Sequence, residues 1–383
     1  MDQRYIATKW HEKPENLELL ERAETACYVF DPATVTATYD ALKAALGTQL
    51  MVSFKANPNV DLFVRCSHAF QDGIELASQG ELSLVNGRTP APKFVNTPAL
   101  DTPLLQAAAS ARATLVFDNP HQVELGLAAL ERGFTLKPVI LRLNASSVLG
   151  SSKVQADHFG MDPETLEAAA RKLEGRGIKV HGIHVFAGSY TFDVAANALC
   201  NAAAEVIARV GEALGKPLEF LNLGGGFADD WDAANPKFAE YRTTLAKLPA
   251  HLTVAHEAGR AIFSRGGIFA TRVLSVKSID KRRVVVCDGG LAHCFMLAQT
   301  EKVMKRLRRP QVVAKGDGAR STVEGTVQVV GNSCNRSDVI GELTEGPMPE
   351  PGDMLVFENC GAYHSYTPKN FLELKSARHY LVS

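Results

Sequence analysis

Residues 50–58 read Leu-Met-Val-Ser-Phe-Lys-Ala-Asn-Pro. An apolar, β-prone run that closes on a lysine predicts a strand over Leu50–Ala56 with Lys55 at its C-terminal end. Seven comparable runs follow: Gly73–Ser78, Lys93–Thr97, Ala113–Asp118, Pro138–Asn144, Val180–Gly188, Phe220–Gly226 and Thr253–Gly259. Ala/Leu-rich amphipathic stretches separate most of them, Pro163–Leu173 and Val194–Leu214 being the clearest. Eight strands alternating with helices over about 210 residues is the rhythm of an α/β fold of the (β/α)8 TIM-barrel kind, with a doubly wound open sheet as the rival.

Beyond Arg260 the rhythm changes. Gly267–Val276, Arg283–Cys287, Thr322–Val330 and Met354–Glu358 read as strands, and Met296–Leu307 as a helix. Glu345–Asp353, rich in Pro and Gly, reads as a surface turn. These features predict a β-rich second domain, which the run Ala26–Val29 returns to join. The expected division is 32–265 for the barrel, with 1–31 and 266–383 forming the β-rich domain.

The chain has 383 residues, 46% of them apolar, with 41 Lys plus Arg against 42 Asp plus Glu. At this length a core forms without disulfide or metal staples. A net charge of −1 argues against a nucleic-acid or basic membrane surface. No apolar run reaches 18 residues, so no membrane helix is expected. The polar start Met1–Asn16 is unlike a secretory signal, and seven cysteines with no C-x-x-C pair suit a reducing cytoplasm. The histidines and cysteines do not fall at metal-ligand spacings.

Several short segments carry chemistry-bearing residues. Lys55 at the C-terminal end of the first barrel strand would point to the mouth where barrel active sites lie, and partial burial would suit it to bond an aldehyde. Alone, it reads more readily as a strand-end lysine in solvent. Gly224-Gly225-Gly226-Phe227 leaves backbone N–H groups open to an anion, or is simply a tight turn. In His256-Glu257-Ala258-Gly259-Arg260, Glu257 ends a strand and Arg260 can reach a phosphate, or the two form a surface ion pair. Cys334 stands among polar residues in Gly331-Asn332-Ser333-Cys334-Asn335-Arg336-Ser337-Asp338, and Gly361-Ala362-Tyr363 closes the set. The other six cysteines read as inert.

Taken in order, these elements resemble the fold-type III pyridoxal-phosphate decarboxylases, the group of ornithine, arginine and diaminopimelate decarboxylases, over nearly the whole chain. The resemblance implies an alanine-racemase-like barrel with pyridoxal 5'-phosphate as cofactor. Lys55 would be its Schiff-base lysine and Glu257 the acid that pairs with the pyridine nitrogen, keeping the ring an electron sink. Ser189, Gly224, Gly225, Gly226, Arg260 and Tyr363 would be cofactor contacts, mostly to the phosphate. Arg142 would lie near the cofactor and Glu75 near the barrel centre, with Glu81 in the same motif. Cys334 would return the proton after CO2 loss, arriving from the second subunit of a homodimer. Asp288 matches a turn of the β-domain and is read as structural or interface-forming. His293 is a substrate-contact candidate or a surface histidine.

Two departures bear on substrate. In His184-Val185-Phe186-Ala187-Gly188-Ser189, Phe186 stands where the family has a ring-stacking histidine. A phenyl ring still stacks, and His184 is expected on the same strand face, as a partial replacement near substrate. After Cys334 come Asn335 and Arg336, where diamine-making relatives carry an acid for a distal ammonium. An amide and a cation suit carboxylates better. The pair resembles the siderophore-type branch, which implies an N-citryl diamino acid as substrate. The alternatives are a diaminopimelate or ornithine decarboxylase, a racemase (opposed by Glu257) and a non-catalytic cofactor-binding regulator (opposed by retention of Lys55 and Cys334).

Overall fold

The computed structural model describes residues 10, 13–150, 154–280, 282–301, 307–316, 318–366 and 371–382. Contacts divide the chain into two compact units, Thr36–Ile262 and Met1–Val35 together with Phe263–Ser383.

After β1 (Cys27–Phe30), eight strands follow: β2 (Gln49–Ser53), β3 (Ile74–Leu76), β4 (Lys93–Asn96), β5 (Thr114–Phe117), β6 (Val139–Leu143), β7 (Val180–Val185), β8 (Phe220–Asn222) and β9 (Thr253–Ala258). They pair in parallel from β2 round to β9, and β9 pairs back onto β2, Met51 opposite Glu257. The sheet closes, so the open doubly wound alternative is excluded. Seven of the eight expected runs contain their strand, and the first overlaps β2, which begins one residue earlier at Gln49.

The helices bury one stripe each. In Phe192–Leu214 the buried residues Phe192, Ala195, Leu199, Cys200, Ala203, Val206, Ile207 and Val210 recur at three- and four-residue steps. Gly215, at φ +68, ends that helix in the left-handed conformation a side chain would resist. Asn59, Ser78, Asp101, Asn119 and Asp162 each accept the backbone N–H three residues on and start the helix that follows.

The barrel interior follows from the two-residue pleat. Met51, Phe94, Val116, Ile140, Phe220 and Ala255, one from each of six strands, form one buried apolar cluster. At the equivalent places stand two glycines, Gly73 just before β3 and Gly182 in β7. A Cβ on Gly73 would lie 2.8 Å from the Phe94 ring, and one on Gly182 would lie 1.8 Å from the Phe220 carbonyl oxygen. The alternate residues, Val52, Ile74, Val95, Phe117, Leu141, Ile183 and Leu221, are buried on the outer face under the helices.

The other unit holds an eight-stranded sheet. After β10 (Gly267–Ile279), β11 (Arg282–Cys287), β12 (Gln311–Val313), β13 (Val327–Val330), β14 (Val339–Leu343), β15 (Met354–Phe357) and β16 (Arg378–Leu381), the order is β12-β15-β10-β11-β13-β14. β1 joins it, antiparallel to β10 and parallel to β16, as the expected return of the N-terminal run requires. The sequence reading missed β12, β14 and β16. It also extended β13 too far: Thr322 makes only an isolated bridge to Pro347. In place of a regular helix over Met296–Leu307, Met296–Glu301 forms a wide π-type turn, and 302–306 lie outside the described residues.

On β9 the equivalent outer-face position is polar. His256 is buried, with Nδ1 2.8 Å from the Thr48 hydroxyl and Nε2 2.8 Å from the Tyr241 hydroxyl. Burial pulls its pKa from 6.5 down to about 3, against the opposing pull of Glu257. The folded state thus binds this proton only near pH 3 and the unfolded chain near 6.5, so the stabilising contribution is complete above 6.5 and lost as pH falls. Between pH 6.5 and 5 the group should cost the wild type about 2 kcal/mol of stability. Denaturant titrations at the two pH values should show a loss smaller by about that amount in His256→Gln; equal losses would contradict the assignment.

Candidate active site

Moving two residues along each strand from the apolar layer reaches Ser53, Glu75, Asn96, Asp118, Arg142, His184, Asn222 and Glu257, one from every position round the barrel. All eight are polar, and all are 1–8% exposed. The same pleat that buries the apolar layer forces this second layer inward.

The eight satisfy one another. Ser53 Oγ donates to Glu75 Oε2 (2.6 Å), and Asn96 Nδ2 donates to Glu75 Oε1 (3.3 Å). Arg142 Nη1 donates to Asn96 Oδ1 (3.3 Å) and to Asp118 Oδ1 (3.4 Å), and its guanidinium lies 4.3 Å from the Phe159 ring centre. Gly160 N–H also donates to Asp118 Oδ1 (3.0 Å). Asn222 Oδ1 accepts from Gly224 N–H (2.9 Å), which turns its amide nitrogen to Glu257 Oε1 (2.8 Å). His184 Nε2 stands 3.2 Å from the same Oε1. Burial alone would raise the Glu257 pKa. His184, which faces it at hydrogen-bond distance, the Lys55 ammonium and the Asn222 amide more than reverse this and hold the carboxyl well below the usual range.

Lys55 stands above this layer. β2 ends at Ser53, and Phe54–Ala56 form a single 3-10 turn closed by Asn57 N–H to Phe54 O (3.1 Å). The lysine is therefore carried by a turn and not by the strand itself. Its Nζ is 3.4 Å from Glu75 Oε1, and its side chain is about half exposed (46%) while Glu75 is buried.

The glycine loop follows β8 and is packed backbone to backbone. A Cβ on Gly224 would lie 2.7 Å from Val185 O and 3.0 Å from the Phe186 ring; one on Gly225 would lie 2.1 Å from Glu257 O. Glu257 N–H donates to Gly224 O (2.8 Å), so this loop sets the height of Glu257. Phe186 lies just past the end of β7, half-buried against the loop. Ser189 is exposed. Tyr190 takes φ +62, and its ring faces the Arg260 guanidinium at 5.2 Å.

The structure places the other expected residues as follows. His184, expected beside substrate, is 1% exposed and pairs with Glu257, because an inward side chain on β7 falls in the buried polar layer. Glu81 closes a helix start: its N–H bonds to Ser78 Oγ (3.2 Å) and its Oε2 accepts from Ala77 N–H (2.7 Å). Asn335 is exposed; its Oδ1 accepts from Ser337 N–H (2.8 Å) within its own loop, and its amide nitrogen and the second lone pair of its oxygen remain to meet a substrate. His293 is not on the surface; it is 4% exposed, and its Nδ1 accepts from Gly290 N–H (3.2 Å). It lines a cavity of about 460 Å³ in the β-rich unit with Thr25, Asp288, Asn332, Lys375 and Arg378. Asp288 is tied by Thr25 Oγ1 (2.5 Å), Thr271 Oγ1 (2.8 Å) and Arg272 N–H (2.8 Å), a structural role. Cys334 is exposed, whereas the other six cysteines are buried; burial lifts Cys27 to about 12 and Cys200 to about 11. Tyr363, at φ +64, belongs to the β-rich unit with Cys334. Among the described residues no cluster could hold a metal, and no helix is long and apolar enough to cross a membrane.

Residues 33–264 match the family described as pyridoxal-dependent decarboxylase, pyridoxal binding domain. The chain is 26% identical to the L-glutamyl-[BtrI acyl-carrier protein] decarboxylase of Niallia circulans, over 94% of this chain and 89% of that protein. It is 27% identical to the diaminopimelate decarboxylase of Actinosynnema pretiosum subsp. auranticum, over 92% and 83%. The crystal structure of lysine/ornithine decarboxylase complexed with cadaverine from Vibrio vulnificus superposes with a TM-score of 0.82 at 22% identity, covering 100% of this chain and 99% of that one. The chain belongs to the pyridoxal-dependent decarboxylase family, and is an enzyme of the lyase class with pyridoxal phosphate as its cofactor.

The residues fit that cofactor. The N–H groups of Gly225 and Gly226 have no partner among the described residues, and Arg260 lies one strand end away; together they suit a phosphate. An ionised Glu257 suits a protonated ring nitrogen. Gly225→Ala pushes a Cβ against the Glu257 carbonyl oxygen. It should weaken cofactor affinity roughly tenfold or more, read by fluorescence titration of the apoprotein. Wild-type affinity would show that the loop gives way.

Proposed function

We propose that the enzyme decarboxylates an amino acid whose far end is already joined to a carboxylate-bearing acyl group, an N-citryl diamino acid such as N-citrylornithine, in carboxylate siderophore biosynthesis. The observation that carries this is Arg336. It is exposed on the Cys334 loop, and no described residue pairs with it. A guanidinium there repels a free distal ammonium and binds carboxylate by charge-assisted hydrogen bonds. The Niallia circulans relative, whose name gives a glutamyl group carried on a protein, supports a conjugated amino acid as the substrate class.

The cofactor, when bound, supplies an electron-withdrawing ring that stabilises the carbanion left by departing CO2. Lys55 Nζ, held by Glu75, would be the amine that bonds the cofactor aldehyde. Glu257 would keep a proton on the ring nitrogen. Gly225, Gly226, Ser189 and Arg260 would hold the phosphate, and Phe186 would serve the ring face. Arg142, through Asn96, and Tyr363 would be further cofactor contacts. Cys334 Sγ carries the proton that replaces CO2, supplied from a second copy of the chain in a homodimer.

A second reading, free diaminopimelate, is favoured by relatives of that name. Its distal carboxylate would meet Arg336, but its distal amine would find only Asn335. A mass-spectrometric screen of the loaded enzyme against ornithine, lysine, diaminopimelate and the N-citryl derivatives of ornithine and lysine decides between them. Turnover of a citryl compound with the free amino acids inert is expected; turnover of a free diamino acid overturns the substrate reading. With the accepted substrate, Arg336→Ala should raise KM roughly tenfold or more with little change in kcat. An unaltered KM removes Arg336 from the site.

A further inference from the structure

His184 has two neighbours that fix its protonation. Two asparagines in the polar layer have orientations set by unambiguous partners. The Asn96 oxygen accepts from Arg142, which only donates, and its nitrogen donates to Glu75, so the nitrogen is the end that faces His184 Nε2 at 3.4 Å. Asn222 likewise turns its nitrogen to Glu257 Oε1. His184 Nε2 therefore lies between an amide N–H and a carboxylate oxygen. A bare Nε2 would set its lone pair against the ionised Oε1 at 3.2 Å, so Nε2 carries the hydrogen and donates it to Glu257.

The other ring nitrogen, Nδ1, is buried and has no hydrogen-bond partner among the described residues. A second hydrogen there would bury an unpaired cationic N–H, the costliest kind of unsatisfied group. The charged groups round the ring are Glu257 on β9, Glu75 on β3, Arg142 on β6 and Lys55 beyond β2. Glu75 is engaged by Ser53, Asn96 and Lys55, which leaves Glu257 as the carboxylate in contact with the imidazole.

We propose that His184 is a positioning residue that holds Glu257 as a neutral imidazole, hydrogen on Nε2 and Nδ1 bare. Neutrality is the point. An imidazolium at this place would itself neutralise Glu257 and compete with the protonated ring nitrogen for it. A neutral N–H donor orients the carboxylate and leaves its full charge for the cofactor. The partnerless Nδ1 is what keeps the second proton off. The inference rests on the pairing of Glu257 with the cofactor ring given under the proposed function, and adds the residue that makes Glu257 fit for it.

The test uses the holoenzyme loaded with pyridoxal phosphate labelled with 15N in its ring, observed by NMR at neutral pH. Wild type should show the ring nitrogen at the pyridinium position. His184→Gln, which keeps an N–H donor without charge, should retain it; His184→Leu should move it toward the free-pyridine position. Retention in His184→Leu overturns the inference, and so does loss in His184→Gln. A free-pyridine signal in wild type would instead overturn the pairing of Glu257 with the ring, and this inference with it. A second measurement does not require His184→Leu to fold. In 15N-histidine-labelled wild type, the imidazole resonances absent from His184→Gln should report a protonated Nε2 and a bare Nδ1. Protonation of both nitrogens overturns the proposal.

Discussion

The two-residue pleat of a closed barrel is the constraint on which this site depends. Every second side chain of each strand must point inward, and eight strands arrive at the same height. Where that height is apolar, as at Met51, Phe94, Val116, Ile140, Phe220 and Ala255, the barrel has a core. One pleat further, the same geometry gathers Ser53, Glu75, Asn96, Asp118, Arg142, His184, Asn222 and Glu257 into a ring that no single strand could build. A register slip of one residue on any strand would bring an outer-face residue inward and open the ring. Gly73 and Gly182 belong to the same constraint. They leave the space their neighbours fill below the two residues, Glu75 and His184, that join the lysine end of the layer to its carboxylate end.

Burying eight polar side chains is costly unless they satisfy one another. The ring does so almost completely, and with little freedom. Each asparagine has its ends fixed by a group that can only donate or only accept, and Arg142 is held between Asn96, Asp118 and the Phe159 ring. The nitrogen left over, Nδ1 of His184, belongs to the ring whose other nitrogen faces Glu257. Function here is an arrangement of donors and acceptors set before the cofactor arrives.

The barrel was legible because strand and helix periods alternate cleanly, and Glu257 because it ends a strand; Glu75, Arg142 and His184 were legible through the resemblance to the decarboxylase family. Ser53, Asn96, Asp118 and Asn222 escaped notice for a physical reason. Small polar residues at strand ends are also the residues turns prefer, so each was placed within its strand without being singled out. The signal was nonetheless present as a recurrence: Met51-Val52-Ser53, Phe94-Val95-Asn96, Val116-Phe117-Asp118 and Phe220-Leu221-Asn222 repeat the form inward apolar, outward apolar, inward polar. Lys55 looked like a strand residue because its neighbours are apolar, yet the backbone turns after Ser53. In the β-rich unit, β14 is interrupted by Gly341, and β16 begins Arg378-His379 with exposed side chains. Neither shows the alternation by which a half-buried strand is recognised.

The claim at the centre of this account is that the polar layer is a cofactor cradle with a lysine above it and a carboxylate within it. A crystal structure of the enzyme grown with pyridoxal phosphate tests that most directly. The account predicts continuous density from Lys55 Nζ to the cofactor, the ring nitrogen within hydrogen-bond distance of Glu257, and the phosphate on the N–H groups of Gly225 and Gly226. A cofactor bound with its ring nitrogen away from Glu257, or with Lys55 unmodified, would contradict it.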